Sequence, residues 1–307
     1  MQEIAQPDIL QVVLTGVIFM AGVGAFFGVG LAQAARKFAV ETDPKVEAVR
    51  DVLPGANCGA CGFAGCQAYA EAVAGDKSVS PGLCTPGKAD VAAMIAKITG
   101  KEPPEIIPMI ATVFCRGGEC KAARRFVYEG VKDCRAAVLV SGGDKACGYG
   151  CLGYGTCAKA CPFGAITMDS ENLPVIDREK CTACGVCVAA CPKTIIALTP
   201  ADKKVHIRCS SHDKAPVVKK SCELGCIACK MCEKACPEGA IKVEDFLARI
   251  DYAKCTHCET CVQVCPQRTI EDQLDPSKES APRIKPPKKE GEENGAEKPK
   301  PAEVTAG

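Results

Sequence analysis

The residues best placed to do chemistry are cysteines. The run CxxCxxCxxxCP occurs three times: Cys181, Cys184, Cys187 and Cys191; Cys226, Cys229, Cys232 and Cys236; Cys255, Cys258, Cys261 and Cys265. A fourth Cys-Pro step stands at Cys161. Three cysteines at every third residue wrap a tight loop around one cubane cluster, while the cysteine before proline is carried away to ligate a neighbouring cluster. Clusters held this way come in close pairs, and their chemistry is one-electron transfer. The last two runs therefore predict one two-cluster module. Cys226, Cys229, Cys232 and Cys265 would hold one cluster, and Cys255, Cys258, Cys261 and Cys236 the other.

The module is duplicated. Sliding the chain until Cys134 lies on Cys209 also lays Cys147, Cys151, Cys157 and Cys161 on Cys222, Cys226, Cys232 and Cys236, and the runs at Cys181 and Cys255 match at almost the same offset. Two tandem ferredoxin units explain this pattern. The first unit departs at one position: Tyr154 stands where the second has Cys229. Cys147 is the nearest replacement, giving Cys147, Cys151, Cys157 and Cys191 on one cluster and Cys181, Cys184, Cys187 and Cys161 on the other. Cys115, Cys120, Cys134, Cys209 and Cys222 are left over, and four of them could hold a further cluster. A rival assignment groups Cys115, Cys120, Cys134 and Cys147, with the first unit borrowing Cys209 or Cys222. In a third reading some of the five are buried small hydrophobes.

A different cysteine group precedes these units: Cys58, Cys61, Cys66 and, further on, Cys84, with Gly55, Gly59, Gly62 and Gly65 interleaved. Glycine permits the turns around an inorganic cube and leaves amides free to approach its sulfurs. This is a complete ligand set for one more [4Fe-4S] cluster, and it is where a structural zinc competes best. Between Cys66 and Cys84 a short helix is expected, with Tyr69 packing. In all, five or six clusters are expected, six favoured.

Composition points to an economy of material. The chain has 307 residues, 25 Cys, no Trp and a formal charge of +1, leaving little for a large apolar core, so the clusters must serve as core. An odd cysteine count and CxxC spacing argue against a disulfide framework. Ile9 to Ala35 holds no charged residue, and as a helix this stretch would reach about 40 Å, enough to cross a bilayer core of about 30 Å. A cleaved signal peptide is the competing reading, opposed by the acidic leader MQEIAQPD. Arg36 and Lys37 follow the span, which puts the redox portion on the cytoplasmic side. Gly24 and Gly28 form a GxxxG step suited to contact with another membrane helix.

The elements needed to position the cysteines give an α+β layout: 1–37 a membrane anchor; 38–98 a four-cysteine iron-sulfur domain; 99–135 a linking cysteine segment; 136–200 and 201–275 two ferredoxin units; and 276–307 a disordered tail. Ile106-Ile107-Pro108 and Val138-Leu139-Val140 read as apolar packing elements, Val175-Ile176 as a strand, and Ala165-Ile166 and Ala240-Ile241 as matching contacts after the Cys-Pro steps. Gly142-Gly143 reads as a turn. His257 lies inside a cluster loop with no ligand vacancy to fill. No GxGxxG on a βα unit, Walker loop, catalytic triad or basic stripe is encoded, so nucleotide, flavin and nucleic-acid functions find no support.

The order of motifs is specific: an uncharged N-terminal span, CGACGFAGC with a later Cys84, CRGGEC, KACGYGCLGYGTCAKACPFGAI, CTACGVCVAACP, KKSCELGCIACKMCEKACP and CTHCETCVQVCP. Up to about Gln273 the chain resembles the polyferredoxin family that forms the B component of the Rnf complex, the membrane-bound ferredoxin:NAD oxidoreductase, in its long form. The resemblance implies an electron wire: reduced soluble ferredoxin docks on the cytoplasmic arm, and electrons hop to membrane partners that hold flavins, reduce NAD and move Na⁺ or H⁺. Docking charges would be Arg116, Lys121, Arg124, Arg125, Lys219 and Lys220, since opposite charge speeds encounter with an acidic partner. The alternatives are the same wire serving another acceptor, such as a redox sensor, or running in reverse, and a metal-bearing membrane scaffold that transfers no electrons.

Overall fold

A computed structural model describes residues 9–38 and 43–272. The expected tail lies outside the described residues. The chain separates into two units, one ending at Ala48 and the other beginning at Val49.

In the first unit, α1 (Ile9–Lys37) is a continuous helix whose described side chains are all exposed. It is long and apolar enough to cross a membrane, with Arg36 and Lys37 in its last turn. An added Cβ at Gly22, Gly24, Gly28 or Gly30 would meet nothing within 4 Å, so this face is open to a neighbouring helix.

The second unit starts in α2 (Pro44–Val52) and continues through α3 (Cys66–Gly75), a short 3₁₀ turn at Thr85–Gly87, and α4 (Lys88–Thr99). Tyr69 is buried and donates its hydroxyl to the Ser80 carbonyl at 2.9 Å; burial pushes its pKa up to about 12, which makes it a packing residue. The Lys101 ammonium donates to the carbonyls of Val73, Asp76 and Val79, each at 2.7 Å, closing the C-terminal end of α3.

Two copies of one motif follow. In the first, β1 (Met109–Val113) pairs antiparallel with β4 (Ile196–Pro200), enclosing α5 (Cys134–Leu139), α6 (Thr156–Ala160), the hairpin β2 (Ile166–Met168) and β3 (Pro174–Ile176), and α7 (Val186–Ala190). In the second, β5 (Val205–Ile207) pairs with β8 (Ile270–Asp272) around α8 (Ala215–Ser221), α9 (Met231–Ala235), the hairpin β6 (Ile241–Glu244) and β7 (Leu247–Ile250), and α10 (Thr260–Val264). The strands are short, and cysteines fill the space between them. Cys151, Cys157 and Cys187 join Ile166, Ile195 and Ile196 in one core, and Cys232 and Cys261 join Val205, Ile207 and Ile270 in the other.

Three features lie differently from the layout read in the sequence. The first ferredoxin motif begins at β1, not at residue 136, so the segment 99–135 supplies the motif's outer strand. That strand is the apolar run MIATV rather than the neighbouring Ile106-Ile107-Pro108, whose Ile107 is exposed. Val138-Leu139-Val140 also fails as a packing element. Leu139 and Val140 are exposed because α5 turns its other side, Ala137, inward. By contrast, Ala165, Ile166, Ala240 and Ile241 are all buried, Pro174–Ile176 is a strand, and Gly142 and Gly143 turn at φ 76° and 104°.

His206 on β5 is fully buried, with Nδ1 2.6 Å from the Tyr252 hydroxyl and Nε2 3.2 Å from the Lys203 carbonyl. Nε2 must donate to that carbonyl, so Nδ1 accepts from Tyr252 and the ring is neutral. Burial lowers its pKa from 6.5 to about 4. The unfolded chain binds a proton that the folded chain refuses, so this contribution to stability is complete above about pH 6.5 and is lost as pH falls towards 4. Anaerobic urea titrations should give a midpoint that drops across that window in the native chain and drops less in His206→Gln; equal slopes would refute the assignment.

Candidate metal centres

The cysteine loops share one backbone device. In each full run the residue before the second cysteine and the residue after it have left-handed φ: Ala183 at 55° and Gly185 at 75°, Ala228 at 53° and Lys230 at 59°, His257 at 61° and Glu259 at 62°. Holding Ala, Lys, His and Glu there costs energy that a loop curled around a cofactor returns. The incomplete run repeats the device with Gly153 at 82° and Gly155 at 71°, flanking Tyr154. Tyr154 therefore occupies a cysteine's place in an unaltered loop.

Around these loops the cysteines fall into sets. Cys58, Cys61, Cys66 and Cys84 line one void, where the Cys66 amide donates to Asn57 Oδ1 at 2.8 Å and Gly65 leaves room that a Cβ would lose, 2.9 Å from the same oxygen. Cys161, Cys181, Cys184 and Cys187 line a second, and the Ala165 amide points at Cys161 Sγ, 3.4 Å away. Cys226, Cys229, Cys232 and Cys265 line a third. Cys255, Cys258 and Cys236 are the charged neighbours of Cys261, together with Cys232 of the adjoining set. In both motifs the Cys-Pro cysteine of one run stands beside the loop of the other.

The first motif's other set differs from expectation. Burial, followed by the negative charge of Cys134 and Cys191, pushes the Cys157 thiol up to about 11; Cys151, up to about 12 by burial, also has Cys134 as a charged neighbour. Cys134 and Cys191 thus stand beside Cys157, and Cys115 and Cys134 beside Cys151. The Cys134 amide donates to Thr156 Oγ1 at 2.7 Å, which ties the start of α5 to the start of α6. Cys147 instead lines a further void with Cys115, Cys209 and Cys222. This grouping differs from both sequence-based assignments of the spare cysteines, and Cys120 is exposed and lines none of these voids.

The difference arises from the repeat alignment. Cys115 stands two residues after β1 and Cys209 two residues after β5; Phe114 N donates to the Ile195 carbonyl at 2.7 Å, and Arg208 N to the Thr269 carbonyl at 2.9 Å. Cys115, not Cys134, is the counterpart of Cys209. The stretch from Cys115 to Cys147 is more than twice as long as the matching stretch from Cys209 to Cys222. The longer first segment carries Cys134.

A lone tetrahedral zinc would draw its sulfurs to about 3.8 Å of one another, given Zn–S bonds of about 2.3 Å. Among the described residues no three Cys, His, Asp or Glu side chains are gathered tightly enough to hold a single metal ion. Four cysteines on closely spaced loops suit a polynuclear group. Buried polar atoms without partners point the same way, since Thr85, Thr182, Arg208 and His257 each stand beside a cysteine of a set. Inorganic sulfide and thiolate sulfur would occupy such donors. Burial raises Cys151, Cys187, Cys209 and Cys232 each to about 12, so these thiols lose their protons only against bound cations.

The comparisons divide the chain more coarsely. Residues 53–86 match the family model described as "Putative Fe-S cluster", and residues 146–195 and 225–269 match "4Fe-4S dicluster domain". The chain is 51% identical to the B component of the proton-translocating ferredoxin:NAD(+) oxidoreductase complex of Clostridium ljungdahlii, over 81% of this chain and 88% of that one. The chain belongs to the polyferredoxin family of the Rnf complexes. It is also 45% identical to the B component of the Na(+)-translocating ferredoxin:NAD(+) oxidoreductase complex of Acetobacterium woodii, over 89% of this chain and 81% of that one. The corresponding component of an ion-translocating oxidoreductase complex of Methanosarcina acetivorans is 44% identical, over 85% of this chain and 98% of that one. Two of these Rnf relatives are named for different ions, so likeness to them leaves the ion open.

The six docking charges expected from the sequence divide. Arg116 pairs with Glu271 at 3.2 Å, Lys121 with Glu223 at 3.2 Å, and Arg124 with Glu119 and Asp144, while Arg125 donates to the carbonyls of Ser141 and Gly143 at 2.7 Å and of Lys145 at 3.1 Å. These four are engaged in contacts within the Rnf chain. Lys219 and Lys220, in the last turn of α8, are exposed.

Proposed function

We propose that this chain is the electron-transfer subunit of an Rnf-type complex, accepting electrons from reduced soluble ferredoxin and passing them through [4Fe-4S] clusters to partner subunits that reduce NAD and move the coupling ion. The observation that carries the reading is the crossed ligation: the void formed by the Cys226 loop is completed by Cys265, from the run that begins at Cys255. Such crossing brings two clusters close together, the arrangement that hopping requires. Five sets would hold clusters: Cys58, Cys61, Cys66 and Cys84; Cys134, Cys151, Cys157 and Cys191; Cys161, Cys181, Cys184 and Cys187; Cys226, Cys229, Cys232 and Cys265; and Cys236, Cys255, Cys258 and Cys261. The clusters supply the redox change. The protein supplies spacing, burial and amide donors to sulfur, which set potentials.

The helix α1 would anchor the chain, and the Arg36-Lys37 pair at its end supports a cytoplasmic location for the redox unit. Lys219 and Lys220 are the docking charges that the geometry leaves available for an acidic ferredoxin. In steady-state assays of the assembled complex, Lys219→Glu/Lys220→Glu should raise KM for reduced ferredoxin several-fold at low salt, with kcat little changed and the difference fading as salt rises. A KM equal to wild type at low ionic strength would remove these residues from the docking face. The function itself is tested by depleting the complex of this chain: ferredoxin-driven NAD reduction should cease and return when the chain is added back. Turnover persisting without the chain would overturn the proposal.

A further inference from the structure

Both ferredoxin motifs carry a lysine two residues before the cysteine that precedes the cluster loop, Lys145 before Cys147 and Lys220 before Cys222. The fold treats the two lysines in opposite ways. In the second motif α8 runs on to Ser221, so Lys220 stays on a helix and is exposed. In the first motif α5 stops at Leu139, and the chain turns at Gly142 and Gly143 before an isolated bridge pairs Lys145 with Arg124. A Cβ on Gly143 would lie 2.3 Å from Leu152 Cδ2, so glycine lets this turn close against the residue that follows Cys151. Lys145 is thereby drawn inward and is 1% exposed.

A buried ammonium must be matched by negative charge. Lys145 Nζ donates to the Gly117 carbonyl at 2.5 Å and, among the described residues, has no carboxylate partner. The adjoining Asp144 is buried too, but its carboxylate is taken by Arg124 and by the Tyr154 hydroxyl. Arg208, which donates to the Cys115 carbonyl at 3.3 Å, is matched by Glu271 at 3.0 Å. What remains for Lys145 is sulfur. A Cβ on Gly117 would lie 3.7 Å from Cys115 Sγ, and that sulfur accepts from the Cys151 amide at 3.3 Å. Burial, with the charge of Cys115, pushes the Cys151 thiol up to about 12, and Lys145 works against both by favouring the thiolate. Cys226, the counterpart of Cys151, is pushed up by burial and by Cys265 and Cys229, and held down by backbone hydrogen bonds rather than by a lysine.

Reduction adds one negative charge to a cluster, and a fixed positive charge in a medium of low dielectric favours the more negative state. At an exposed lysine the same charge is screened by water and salt. We propose that Lys145 is a potential-setting residue: its buried ammonium raises the reduction potential of the cluster site formed by Cys134, Cys151, Cys157 and Cys191 above that of the counterpart formed by Cys226, Cys229, Cys232 and Cys265. The proposal rests on the electron-wire reading above and gives the wire a downhill direction. One electron passes from the Cys226 site to the Cys151 site, oxidising the first and reducing the second; no bond forms and no proton moves. The path leads from the motif that carries Lys219 and Lys220 to the motif nearer the membrane helix along the chain.

The test is a mediator-poised redox titration of the full-length protein, purified without oxygen and followed by low-temperature EPR. The two signals are assigned by their loss in Cys134→Ser and in Cys229→Ser. In the native chain the signal lost in Cys134→Ser should develop at higher potential than the signal lost in Cys229→Ser. Lys145→Met should move the former to lower potential, so that at the poise where the native signal is half developed the variant shows several-fold less of it. Lys145→Arg, which keeps the charge, should stay near the native value, and Lys220→Met should leave the second signal unmoved. A Lys145→Met chain with native iron content and an unshifted signal would overturn the proposal, as would a native Cys134-dependent signal at or below the potential of the other. Should Lys145→Met not fold, the native order alone decides. Mediators replace ferredoxin here, so a wrong order counts against Lys145 and leaves the wire standing, whereas absence of iron from the native chain would bring down both.

Discussion

Cys134→Ser should cost the chain one whole cluster, about four irons, and Tyr154→Cys placed in the same chain should restore it. The loss follows from the proposed set, in which Cys134 stands with Cys151, Cys157 and Cys191. The rescue follows from the backbone. Gly153 and Gly155 hold the left-handed conformations that Ala228 and Lys230 hold around Cys229, so a cysteine at 154 would stand where the second motif has its own ligand. Tyr154 now donates its hydroxyl to Asp144 Oδ2 at 3.0 Å and packs against Tyr128, so the exchange also takes one hydrogen bond from the buried Asp144 carboxylate, which keeps its pairing with Arg124. Iron analysis with EPR of Cys134→Ser and of the double variant checks both halves. Full iron in Cys134→Ser would return Cys147 to this cluster, and failure of the double variant to regain iron would deny the equivalence of the two loops.

The second large effect concerns the crossed ligands. Cys265→Ser should empty the site formed by the Cys226 loop, not the site formed by its own run. The pattern of double variants is diagnostic. Cys265→Ser with Cys226→Ser should lose no more iron than either alone, about four per chain, while Cys265→Ser with Cys258→Ser should lose about eight. Loss of an outer-shell partner already costs a metal site about 10- to 100-fold, so removal of the ligand should slow ferredoxin-driven NAD reduction by at least about 100-fold. Additive losses for the first pair, or a shared loss for the second, would contradict the crossed arrangement.

Much of this was legible because cysteine spacing is a geometric statement. CxxCxxCxxxCP carries the loop, the crossing and the pairing of clusters within it, and the long uncharged span from Ile9 to Ala35 carries the possibility of a membrane helix. The illegible part lay between Cys115 and Cys147. There the first motif is longer than the second, and a fixed offset slides through the extra length and lands on the wrong partner, placing Cys134 over Cys209. The short strand at Met109–Val113 was the available signal. Its antiparallel partner at Ile196–Pro200 is far away along the chain, and a pairing at that range leaves no local trace. The docking charges are harder to read for a different reason: Arg116, Lys121 and Arg124 look like a basic surface in one dimension, while in three they pair with Glu119, Asp144, Glu223 and Glu271.

Electron acceptance by this chain is tested most directly by stopped-flow mixing of the anaerobically purified, full-length protein with reduced ferredoxin, following the visible absorbance of its clusters. The account predicts bleaching in step with ferredoxin oxidation, a rate that rises with ferredoxin concentration and falls with salt, and full recovery of colour on reoxidation. A chain with its full complement of iron and sulfide that takes no electrons from reduced ferredoxin would contradict the account.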